Sequence, residues 1–227
     1  MISALVFDFG GTLDADGLHW LDRFYAIYAD IGLAEIPKKK IKEAFYWADE
    51  QAELDPGMRS AELRPMMERH VHWQFQKLGL ENQMLEARAA AAFYKPADRI
   101  LRRNRHIFEK LSQAGLKLGI ISNFYGNIEA LCREFSLTPF LNVILDSAIV
   151  GLKKPDPKLL RWPWNGSSSP LKRSPSWGTP LRGISCRPSR SGCRRFGSSA
   201  IKTLFSRKPP KWIASSEVLR TCLMNSG

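Results

Sequence analysis

Three short apolar runs govern what this chain can fold into. "ISALVFDF" at residues 2–9 halts at Gly10 and Gly11, "LKLGIISN" at 116–123 ends on Ser122 and Asn123, and "NVILD" at 142–146 ends on an acid. Each is too short to cross a membrane and reads as a strand buried on both faces. Helical patterns separate them: "HIFEKLSQAG" closes on Gly115, "NIEALCREF" follows the second run, and "DPKLL" opens another helix with Pro157 in its first turn. Strand, helix, strand, helix in this order means a parallel sheet with right-handed crossovers. The expected fold class is α/β, a Rossmann-like core.

A long helical stretch interrupts that rhythm. Leu18, Leu21, Phe24, Tyr25 and Tyr28 recur at three and four residues, and "PKKKIKEAFYWADEQAEL", "SAELRPMMERHVHWQFQKLGL" and "ENQMLEARAAAAFY" follow, separated by Pro and Gly signals such as Asp55-Pro56-Gly57. Pro96 marks the return to strand and helix alternation. The expected organisation is a core of residues 1–15 and 96–160, an inserted α-helical cap of residues 16–95 standing over the strand ends, and an irregular tail of residues 161–227.

Charge divides the chain at the same place. Residues 1–160 hold 21 Lys and Arg against 21 Asp and Glu, whereas residues 161–227 hold 13 bases and one acid, Glu217. The net charge of +12 therefore belongs to the tail, and nucleic acid is not the expected partner of the core. Cys132, Cys186, Cys193 and Cys222 have neither zinc-site spacing nor a disulfide framework. No stretch of about 18 apolar residues occurs, and the N-terminus lacks the marks of a signal peptide. A reduced, cytoplasmic protein with no membrane contact is expected.

In parallel sheets of this kind ligands bind outside the carboxyl ends of the strands. The residues there are "DFGGTLD", "SNFYGN" and "KKPDP". Together they resemble the haloacid dehalogenase superfamily of hydrolases over about Ile2 to Leu160. The first motif is similar to the family's D-x-D-G-T, the second to its strand ending in Ser or Thr, and the third to its Lys before Pro. The resemblance implies Mg2+-dependent hydrolysis of a small phosphorylated metabolite through an aspartyl phosphate. Asp8 would be the nucleophile and, with the Gly10 carbonyl, a Mg2+ ligand; Gly11, Thr12, Ser122 and Asn123 would position the phosphoryl group, and Lys154 would balance charge. The chemistry suits the residue types, because a carboxylate nucleophile splits one hard displacement into two easier ones and a lysine neutralises charge shared with the substrate.

Gly10 departs from the family pattern. Phosphatases of the family carry there a second Asp that serves as general acid and base, a role worth about 10² to 10⁴ in rate. Its absence favours good leaving groups, or relatives that cleave C–X or C–P bonds and act on halogenated or phosphonate substrates. Asp14 and Asp16 lie close in sequence and read as turn or cap residues. His70 and His72, about 200° apart around a helix, cannot share a metal and read as solvated or partly packed. Lys38 to Lys40 read as a solvated helix start, and Trp47, Trp73, Phe75, Phe93 and Tyr94 as core of the helical insertion.

The family's fourth motif, G-D-x4-D, is missing. Residues 161–227 hold 14 Ser, 7 Pro and four of the seven Trp without periodicity. One account is a basic disordered tail, on a non-catalytic protein that grips nucleic acid. The genetic code offers another. Trp162 to Gly166 demand TGG CCN TGG AAY GGN; read one nucleotide earlier these give apolar, Ala, apolar, Glu, then Arg or Trp, an amphipathic helix. The same shift over "WGTPLRGIS" forces a Gly at 178 and permits Asp, one of four codon choices, at both 179 and 184, so it admits apolar-Gly-Asp-x4-Asp 25 residues after Lys154. A frameshift near Arg161 is therefore expected, with the chain as written poorly folded and close to inactive and the frame-restored chain an active phosphatase.

Overall fold

Strand β1 (Ala4–Phe7) is buried at all four positions and stands inside a four-stranded sheet. It pairs in parallel with β2 (Lys117–Ser122), Phe7 opposite Ile120, and β2 pairs in parallel with β3 (Leu141–Asp146), Ser122 opposite Asp146. The three apolar runs thus become neighbouring strands whose polar endings lie on one edge. The computed structural model describes residues 4–156, 158–159 and 202–204. Within the last segment β4 (Lys202–Leu204) pairs antiparallel with β1, giving the order β3-β2-β1-β4. Nothing in the sequence pattern announced this strand. The other expectations for residues 161–227, and for Pro157, fall outside the described residues.

Between β1 and β2 stand α1 (Trp20–Asp30), α2 (Lys38–Leu54), α3 (Leu63–Leu78) and α4 (Gln83–Gln113). The Nδ1 of His19 caps α1 by accepting from the Leu21 amide at 3.1 Å, so Leu18, expected on the helix face, lies before the helix and is half-exposed. Lys38 to Lys40 are exposed at the start of α2. Asp55 accepts from the Gly57 amide at 2.8 Å, and the Asp-Pro-Gly sequence becomes one short 3-10 turn, Pro56–Ser60. Gly79 stops α3 in the left-handed conformation, with φ of 69°.

The two helices expected on either side of Pro96 are one 31-residue helix, α4. Proline removes one backbone bond and crowds the carbonyl four residues earlier, at a cost of about 3 kcal/mol. Here Ala89, Ala90, Phe93, Ala97, Leu101, Asn104, Ile107 and Phe108 form a buried stripe that runs through the proline on both sides. Burial on this scale, about 1.5–3 kcal/mol for each large side chain, outweighs the break. The Arg23 guanidinium also donates to the Phe93 carbonyl and lies over the Phe93 ring at 4.2 Å, giving the disturbed turn an outside partner.

The main core joins the sheet to the helices. Phe7 meets Phe108 at 4.8 Å, and Trp20 stands edge-on to Phe93 at 5.0 Å and to Phe124 at 5.6 Å. After β2 the chain turns through Phe124 and Tyr125, both buried, into α5 (Ile128–Glu134). After β3, Asp146 caps the single-turn α6 (Ser147–Val150), accepting from the Ala148 amide at 3.0 Å. Among the described residues no helix is long and apolar enough to cross a membrane.

Candidate active site

Asp8 is the first residue past β1, and Ser122 is the last of β2. The parallel register brings their side chains together: Ser122 Oγ donates to Asp8 Oδ1 at 2.8 Å. The Phe9 amide donates to the same oxygen at 2.9 Å, and Lys154 Nζ stands 2.6 Å from it. Three donors therefore converge on Oδ1. Oδ2 has no hydrogen-bond donor among the described residues and keeps its lone pairs for a reaction. The carboxylate and the ammonium are each about one-quarter exposed, 25% and 26%, so a small molecule can reach the pair.

Lys154 is aimed by Asn123. The Asn123 Oδ1 accepts from the Lys154 amide at 2.7 Å, and its Nδ2 donates to the Lys154 carbonyl at 3.1 Å. A two-bond clasp of this kind fixes the backbone that carries the ammonium. Gly11 and Thr12 have their amides committed within the loop. Gly11, at φ of 76°, donates to Asp14 Oδ1 at 2.7 Å, and Thr12 donates to the Phe9 carbonyl at 3.1 Å. Thr12 is buried and its Oγ1 has no partner among the described residues. Asp8, Ser122, Asn123 and Lys154 are thus brought together, while Gly11 and Thr12 shape the loop.

Gly10 lies between two aromatic rings. A Cβ there would meet Phe124 Cε2 at 3.4 Å and Trp20 Cε2 at 3.6 Å. Neither ring is a candidate site residue in the sequence: Trp20 lies outside the three strand-end motifs, and within "SNFYGN" only Ser122 and Asn123 are candidates, not Phe124. His70 is another departure: it is fully buried, whereas its sequence suggested a solvated or partly packed side chain. Asp16 pairs with Arg103 of α4 at the surface.

Asp14 is completely buried, which nothing in its sequence signalled beyond an acid three residues after a glycine pair. Its Oδ1 takes the Gly11 amide and its Oδ2 takes the Trp20 indole N–H at 2.6 Å, so it ties the loop after β1 to α1. Burial raises its carboxyl to about 7, against the opposing pull of those two bonds and of Arg23. A raised acid means that the folded chain holds a proton the unfolded chain has lost. Stability therefore falls as pH rises from about 4 to about 7, by up to about 4 kcal/mol, and levels off above. Urea midpoints at pH 5 and pH 8 should show the lower value at pH 8, and Asp14→Asn should flatten the difference.

A family model for haloacid dehalogenase-like hydrolases matches residues 2–161. The chain belongs to that family. No curated protein matches this haloacid dehalogenase-like hydrolase. Among solved structures, a dehalogenase is 22% identical, with 70% of this chain and 69% of that chain covered and a TM-score of 0.40. The L-2-haloacid dehalogenase of Xanthobacter autotrophicus with chloropropionic acid covalently bound is 20% identical, with 71% and 63% covered and a TM-score of 0.34. The 2-haloacid dehalogenase of Pseudomonas syringae pv. Tomato DC3000 is 20% identical, with 71% and 70% covered and a TM-score of 0.32.

Many hydrolases of such folds use Mg2+, which takes near-octahedral oxygen ligands including one or two carboxylates. In this hydrolase Asp8 Oδ2 and the Gly10 carbonyl are the donors left for it. Asp146, the other acid at the strand ends, spends its oxygens on the amides of Gly126, Ile128 and Ala148. Among the described residues no three His, Cys, Asp or Glu stand together, and beyond residue 160 the sequence holds a single Asp or Glu, Glu217. The described residues do not by themselves complete a divalent-cation site.

Proposed function

We propose that this hydrolase displaces, with the Asp8 carboxylate, a leaving group that departs without a proton, and that its substrate is a small 2-halo carboxylic acid. The observation that carries this is Gly10, set against Trp20 and Phe124 where a phosphatase would hold its proton donor. Halide departs as a stable anion and needs no such donor; a phosphomonoester's alkoxide does. Asp8 Oδ2 attacks the halogen-bearing carbon, the C–X electron pair leaves with the halide, and the acid becomes an ester of Asp8. Water then adds to the Asp8 carboxyl carbon, the hydroxy acid leaves, one proton is released and the carboxylate is restored. Lys154 and Ser122 hold Oδ1 throughout, fixing the nucleophile's orientation and offsetting repulsion between the two carboxylates. The division that goes with this reading is a core of residues 1–15 and 96–160 under a cap of residues 16–95.

Halide release from 2-chloropropionate, unchanged by EDTA, is the expected result. Phosphate release from p-nitrophenyl phosphate without halide release would overturn it. Gly10→Asp is expected to slow halide release about tenfold or more, because it sets a charge between two rings that cannot solvate it.

A second reading, Mg2+-dependent phosphomonoester hydrolysis through an aspartyl phosphate, is favoured by the codon pattern, which in the shifted frame forces a Gly at 178 and admits Asp at 179 and 184. Under it the frame-restored chain hydrolyses p-nitrophenyl phosphate with Mg2+ and the chain as written does not. Equal activity of the two chains would remove the codon argument.

A further inference from the structure

Helix α2 places Asp49 and Glu53 one turn apart, on one face. Each grips a residue that adjoins the active site. Asp49 Oδ1 accepts from the hydroxyl of Tyr125, two residues past Asn123. Glu53 takes Lys153 Nζ on both carboxylate oxygens, at 2.7 and 2.8 Å, and Lys153 immediately precedes Lys154. Asn123 and Lys154 are themselves clasped by two hydrogen bonds, and Lys154 Nζ rests on Asp8. One helix face therefore holds both loops that aim the ammonium at the nucleophile.

The Asp49 end is anchored from behind. His70 Nε2 lies 3.1 Å from Asp49 Oδ1, His70 Nδ1 lies 2.9 Å from Gln74 Nε2, and Gln74 Oε1 accepts from the Tyr28 hydroxyl at 2.8 Å. Tyr28 has only its proton to offer Gln74 Oε1, so the Gln74 amide N–H faces Nδ1 and the remaining ring N–H points at Asp49. His70, Gln74 and Tyr28 are all fully buried. The two grips differ in kind: the Glu53 and Lys153 side chains are 43% and 58% exposed, whereas Asp49 is held inside a polar chain that crosses from α1 through α3 to α2. Salt should weaken the first and spare the second.

We propose that Asp49 and Glu53 are positioning residues: by gripping Tyr125 and Lys153, they make the seating of α2 a condition for the Asn123–Lys154 clasp, and so for the placement of Lys154 on Asp8. The proposal concerns the geometry of Lys154 and holds whichever leaving group the site accepts. Its test therefore needs no substrate. Competitive acetylation of the full chain, read lysine by lysine by peptide mass spectrometry, reports how far Lys154 Nζ is withheld in its pair with Asp8.

Asp49→Asn is expected to raise Lys154 labelling relative to the exposed Lys117 about tenfold, since a part-buried charged acceptor shared by Tyr125 and His70 is lost. Glu53→Lys should raise it about threefold, the scale of an exposed ion pair, and adding Lys153→Glu should bring it back. High salt should imitate Glu53→Lys in the unaltered chain and leave the Asp49→Asn increase in place. Circular dichroism identifies a variant that has unfolded, and the charge-swapped pair keeps the test decisive in that case. Unchanged Lys154 labelling in both single variants, or a charge swap that fails to restore it, would overturn the proposal. Loss of halide release with normal labelling would instead count against the substrate reading.

Discussion

Asp8→Asn is expected to remove halide release entirely within detection, a loss of at least about 10³-fold, while leaving the fold in place. The asparagine side chain has the same shape and its carbonyl oxygen still accepts from Ser122 Oγ and the Phe9 amide, two of the three groups that meet Oδ1 now. What it lacks is the anionic second oxygen with which the proposed reaction attacks. The lost pairing with Lys154 costs little in stability, because both partners are partly in water. Steady-state halide release beside a thermal melt checks this. A variant with a normal melt and residual rate above about one-tenth would assign the nucleophile elsewhere.

Lys154→Met should cost about 10² to 10³ in kcat/KM, the scale of removing one preorganised donor from a site of developing charge. The methionine fills a similar volume without the charge, so Asp8 meets an anionic substrate with its own charge uncompensated. The loss should be larger toward anionic than toward neutral haloalkyl probes, and that ratio separates electrostatics from packing. Lys154→Arg should recover less than the full rate. The ammonium meets one oxygen at 2.6 Å, and a planar fork delivers its donors to a carboxylate in pairs, which would take up Oδ2 as well.

What the sequence made legible, and what it left hidden, follows from where each signal resides. Asp8 lies more than a hundred residues before Ser122 and Lys154, yet each of the three directly follows or closes a local pattern, an apolar run or a Pro-bounded turn. Once the runs are taken as parallel strands, their ends must share one edge of the sheet, and the three side chains meet. Pro96 misled for the opposite reason. Its local preference is to end a helix, and the buried stripe that overrides it is a property of the packed molecule. Asp14 and His70 are hidden in the same way, since an acid after a glycine turn and a histidine on a helix look solvated until the partners that bury them are in place. The grip of Asp49 on Tyr125 spans 76 residues with no periodic pattern to announce it. Residues 161–227 carry neither kind of signal except through their codons.

The central claim is that Asp8 bonds covalently to the substrate's carbon. Peptide mapping of the chain after brief exposure to 2-chloropropionate tests it most directly, because ester formation needs only the first half of the reaction. The account predicts a propionate adduct on the peptide containing Asp8, absent from Asp8→Asn. Halide released with Asp8 unmodified, or the adduct found on another residue, would contradict it.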